Sequence, residues 1–150
     1  MVGLDVAPIF AALADQVRSG LAAAGEDFTV YAYPELNPDL PAVSLHPAGD
    51  GWISYVTSMG PNGTADVLGR LVVQLVAGDM ETLFRQACRL CAAGAGHASS
   101  VPDLVMADRT LGGAVADCVV LFAEWPDVEA DPGRIEIPFS VIASKDAAEV

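Results

Sequence analysis

Positive charge is scarce in this chain. Seven lysines and arginines face 20 aspartates and glutamates, for a net charge of −13. Proteins that grip nucleic acid need a cationic surface to displace counterions, so direct DNA binding is disfavoured. Docking on an anionic membrane is disfavoured for the same reason. Cysteine is also scarce: three residues, an odd number, do not make a secreted disulfide framework. Long apolar runs are missing. The strongest, Leu71 to Ala77, is interrupted by Gln74 and is strand-sized, far short of the roughly 18 residues of a membrane span. The opening stretch, Met1 to Val6, has no basic region and carries Asp5, unlike a signal or transit peptide. Action in a reducing cytosol, or in a particle assembled there, is therefore expected.

What is present is a globular composition, with 53% hydrophobic residues over 150 positions. That is enough for one core and a single domain, 1–150. The acids are in modest excess towards the end (Glu124, Asp127, Glu129, Asp131, Glu136, Asp146 and Glu149), which reads as a solvated face.

Residues 6–24 predict an amphipathic helix. Ile9, Phe10, Leu13, Val17 and Leu21 recur at helical spacing, with Pro8 in the first turn and Gly25 as the stop. Phe28 to Tyr33 and Ala42 to His46 read as short strands, separated by a connection with three prolines in eight residues, Pro34 to Pro41. Residues 52–77 predict a long hairpin, with arms Trp52 to Met59 and Asp66 to Ala77 around Asn62-Gly63. Val67 to Val76 is apolar on both faces apart from Arg70 and Gln74, so it is expected to be central or covered on both sides. Asp79 caps a second helix over 79–93, whose buried stripe is Met80, Leu83, Phe84, Ala87, Leu90 and Cys91. Asp103 to Met106 reads as a short helix, and 114–123 and 136–143 as strands. Pro138 marks an edge or a bulge. The order argues for an α+β fold: a mostly antiparallel sheet with two main helices packed on one face and a long β-hairpin.

The chemistry-bearing residues do not assemble into a recognised motif. Cys88 and Cys91 form a Cys-x-x-Cys, but near a helix end rather than its start, where the dipole would favour a thiolate. They read as small buried hydrophobes. His46, His97 and Cys118 add no zinc-ligand spacing. No Ser-His-Asp order or nucleophile elbow is visible, and Asp127 and Glu129 read as solvated loop carboxylates. No catalytic residue, cofactor or metal is predicted. Trp52, Tyr55 and Met59 on the hairpin and Trp125 at a strand end read as core or, since aromatics and Met are enriched at interfaces, as a subunit interface; with Asn62 and Arg70 they are the subunit-interface candidates.

The order of features is an N-terminal amphipathic helix, then Val30-Tyr-Ala-Tyr-Pro34, Asn37-Pro38 and Leu40-Pro-Ala-Val43. A Gly60–Gly63 hairpin leads to a long apolar strand and an Asp79-started helix, and Thr110-Leu-Gly-Gly113 precedes a Val-rich strand. Over about residues 6–144 this resembles the tail terminator (tail-completion) proteins of long-tailed bacteriophages, particularly those of actinobacterial hosts. The resemblance implies a structural virion protein, not an enzyme. It implies a hexameric ring that caps the tail tube, stops its polymerisation and offers a docking surface to the head and its connector protein. Genomic DNA would pass through the lumen without tight binding. Two other readings stay open: a head–tail connector of the same neck region, and a small α+β enzyme or ligand-binding protein with a site around His46 or the Cys88 loop.

Overall fold

The computed structural model describes residues 5–54, 64–92 and 99–144. Helix α1, Ala7–Ala23, buries the expected stripe together with Ala14 and has Pro8 in its first turn. Gly25 ends it at φ 80°, as the Glu26 N–H donates to the Leu21 carbonyl at 2.9 Å and the Gly25 N–H to that of Ala22 at 3.1 Å. This double bond closes the last helical turn and needs the left-handed residue that glycine supplies.

The strands are β1 (Thr29–Tyr31), β2 (Ala42–Pro47), β3 (Ile53–Ser54), β4 (Thr64–Gln74), β5 (Asp117–Val120) and β6 (Arg134–Ser144). Helix α2, Met80–Cys91, follows β4, and α3, Val101–Met106, precedes β5. The sheet order is β1-β2-β4-β6-β5, with β3 pairing beside β2 on β4. Every pairing is antiparallel except β1 with β2. The fold is α+β with a mostly antiparallel sheet, as expected. Ile53 opposite Val67 and Ser54 opposite Asp66 give the antiparallel pairing of a hairpin. Its turn at Gly60–Gly63, and with it Tyr55, Met59 and Asn62, lies outside the described residues.

Strand β4 is central, as expected; one of its faces packs into the core, and on the other Val72 is buried together with Ser44 and Glu136 of the neighbouring strands. Ala65, Val67, Leu71 and Val73 alternate into the core. So do Val43 and Leu45 from β2 and Ile135, Ile137, Phe139, Val141 and Ala143 from β6, and all three helices pack on that face. On the other face Leu68 and Ile142 stay exposed. Gly69 sits in mid-strand because the Phe139 ring lies across it, 2.6 Å from where a Cβ would stand.

Pro138 is not at an edge, since β6 lies between β4 and β5. Its carbonyl accepts from the Leu121 N–H beyond the end of β5, so its missing N–H faces that same side and costs β4 nothing. The pairing resumes at Glu124 with Glu136, leaving one more residue on the Val120–Glu124 side than on the facing stretch. That uneven advance is the bulge alternative.

Asp79 caps α2 as expected, its Oδ1 accepting from the Thr82 N–H at 3.0 Å. The buried stripe is narrower than expected: Leu83, Ala87 and Leu90 are buried, while Met80 and Phe84 are exposed. The apolar arc of α2 is wider than the surface beneath it. Helix α3 begins at Val101, two residues before the expected start, capped by the Ser100 hydroxyl accepting from the Asp103 N–H. It packs on α1 at Gly20, where Leu104 fills the space a side chain would take, and the Gln16 amide donates to the Leu104 and Val105 carbonyls at 2.8 Å.

Candidate functional site

The described interface candidates fall in three separate neighbourhoods. Trp52 is half-buried against Phe10, ring centroids 6.0 Å apart, and lines a shallow hollow with Val6, Tyr33, Pro34 and Pro47. Trp125 is half-buried and stacks on Phe84 at 6.3 Å and 12°, with its indole N–H donating to the Pro132 carbonyl at 3.0 Å. Arg70 lies on the sheet face opposite the helices, paired with Glu136. His97, like Tyr55, Met59 and Asn62, lies outside the described residues.

Arg70 belongs to a polar cluster that the sheet register assembles. Opposite pairs share a face, and His46 faces Arg70 while Ser44 and Glu136 flank Val72. Glu136 is buried and accepts from Arg70 at 2.8 Å and from Arg134 at 3.2 Å. Such charge-assisted bonds offset the cost of taking a carboxylate out of water. The Nε of Arg70 is buried with no hydrogen-bond partner. Burial, then the nearby Arg134 and Arg70, lower the pKa of His46 below its ordinary value. The His46 ring lies 3.0 Å from the Ser44 hydroxyl, a spacing found in nucleophile–base pairs. Ser44 is fully buried, however, so this hydroxyl is closed to substrate. The contact holds the ring against the strand.

The thiols divide differently from expectation. Cys88 is exposed rather than buried, and Cys91 is half-buried with its pKa raised by burial and by Cys88. Cys118 is buried, and burial followed by the Asp117 charge pushes its thiol up to about 12, so it stays protonated and inert. Among the described residues no group of three or more His, Cys, Asp and Glu is placed to hold a metal. Asp127 caps a turn, accepting from the Ala130 N–H at 3.1 Å. All six arginines are ion-paired, each to an acid: Arg18 to Asp15, Arg70 and Arg134 to Glu136, Arg85 to Glu81, Arg89 to Glu26 and Arg109 to Asp117. Only Arg70 and Arg134 share an acid, and with His46 they stand around Glu136.

An apolar concavity lies between α2 and the segment after β5. It is an apolar hollow of about 200 Å³ lined by Phe84, Ala87, Cys88, Cys91, Trp125 and Ile135, with Ala123 and Glu124 at its strand side. Around the same edge Leu121 and Phe122 are exposed. The sequence reading missed this feature because it assigned Phe84 and Cys91 to the buried stripe. The available signal was the width of that stripe, too broad for a twelve-residue helix on a sheet margin.

Neither a protein-family model nor a curated protein matches the chain. No helix among the described residues is long and apolar enough to cross a membrane.

Proposed function

We propose that this chain is a structural ring-forming protein, a tail terminator of a long-tailed bacteriophage. In this role it assembles as a hexamer on the finished tail tube, ends its growth and presents a face to the head. The reading rests first on the order of sequence features described above. The observation that carries it is the surface: an acidic chain leaves Phe84, Leu121, Phe122, Leu36 and Leu40 exposed, apolar area of the kind that marks contact with other proteins. The net charge of −13 suits a lumen that DNA crosses without adhering.

The test is to add the purified protein to a polymerising tail-tube subunit and measure tube length by electron microscopy. The expected outcome is that tubes stop growing and carry a ring at one end, and that the free protein sediments as an oligomer at high concentration. Tubes that lengthen unchanged, with no ring bound, would overturn the assignment.

A further inference from the structure

The connection from β1 to β2 projects Leu36 almost wholly into water, 88% exposed. Pro34, Pro38 and Pro41 stiffen this loop, because each fixes its own φ and restricts the residue before it. The loop is further anchored by the Tyr31 hydroxyl, which accepts from the Asp39 N–H at 3.0 Å, and by the Tyr31–Tyr33 ring contact. An apolar side chain held out on a stiff loop has already lost much of the freedom that binding would otherwise take from it.

The apolar hollow under α2 has the complementary form. An enclosed apolar cavity of about 150 Å³ holds a benzene-sized group, so a hollow of about 200 Å³ has room for a leucine side chain. The two features sit at opposite ends of the sheet. The Leu36 loop joins the edge strand β1 to β2, and the hollow is formed beside β6 and the chain leaving the other edge strand, β5. The loop carries Glu35 and Asp39, while Arg85 and Arg89, next to the lining residues Phe84 and Cys88, are held by Glu81 and Glu26, so the pairing rests on shape and apolar area rather than on charge.

We propose that Leu36 of one copy enters the α2 hollow of the next copy. Two different patches then meet, one at each end of the sheet, which is a head-to-tail contact. Such contacts propagate from copy to copy and close into a ring when the rotation allows. The contact rests on the ring reading above only in requiring that copies associate.

A cross-linking experiment tests it, because the hollow already carries the exposed Cys88. In Leu36→Cys, mild oxidation with copper–phenanthroline joins the new thiol to Cys88 of the neighbour. The two thiols give two electrons and two protons to the oxidant system as the S–S bond forms. The expected result is a ladder of dimers, trimers and larger species on a denaturing gel, abolished when Cys88→Ser is added. Independently, Leu36→Ser weakens self-association roughly ten- to a hundred-fold by sedimentation, the loss of one buried leucine. If the native protein associates but the ladder is missing or stops at dimers, the Leu36 contact is wrong and the ring reading stands. A native protein that stays monomeric throughout the sedimentation series, with no ladder, overturns both.

Discussion

Protonating His46 places a third positive charge beside Arg70 and Arg134, with the single carboxylate of Glu136 answering all three. In the unfolded chain the ring takes up its proton near pH 6.5. In the folded chain burial and the two guanidiniums hold its pKa lower, so the native state binds fewer protons than the unfolded one. Stability is then fully present above the unfolded value and is lost as pH falls towards the folded one. The expected outcome is a melting temperature that declines as pH falls below about 6.5. His46→Gln should flatten that decline, read by circular dichroism melts across the range. An equal slope in both proteins would mean that another group carries it.

Strand β4 depends on a missing side chain. A Cβ at Gly69 would meet the Phe139 ring at 2.6 Å and the His46 carbonyl at 3.0 Å. Gly69→Ala is therefore expected to destabilise by about 1–3 kcal/mol, the usual range for overpacking. Trimming the ring as well, in Gly69→Ala/Phe139→Leu, should cost less than the two single changes added together, measured by urea unfolding. Elements were legible where their signals are local. Pro8, Gly25 and Asp79 bound their helices from within one turn, and the antiparallel pairing of the hairpin follows from two β runs joined through Asn62-Gly63 in the sequence. Helix α3 was placed late although Ser100-Val-Pro-Asp103 is itself a cap-and-first-turn signal. Strand β5 is shorter than the expected 114–123 because Ala114 and Val115 are drawn into a turn, with the Val115 N–H donating to the Thr110 carbonyl. The parallel β1–β2 pair and the cluster of Ser44, His46, Arg70, Arg134 and Glu136 were not legible. The first depends on the path of the proline-rich connection that brings β2 back beside β1 in the same direction, and the second on register between β4 and the distant β6, neither of which a local pattern encodes.

At the scale of the molecule the charge is both large and committed. Every arginine is engaged by a carboxylate and only Arg70 and Arg134 share one, so among the described residues the cationic excess of the −13 chain is confined to that pair. No mobility shift of duplex DNA is expected even at low salt, where the Debye length is longest and attraction would be strongest. Salt-sensitive binding that vanishes on replacing Arg70 and Arg109 would instead mark a DNA-gripping connector. The placement of β6 also has a consequence in time. The ribosome delivers α1, β2, β4 and α2 long before Arg134–Ser144, yet that stretch fills the gap between β4 and β5. Until it emerges, one long side of β4 has no partner, and half of the sheet's inner face has nothing to pack beside. Such long-range closure makes folding slow and late. The nascent chain must therefore wait, with an open strand edge, until residue 144 is made, and that interval is when it is most exposed to aggregation and most in need of a chaperone.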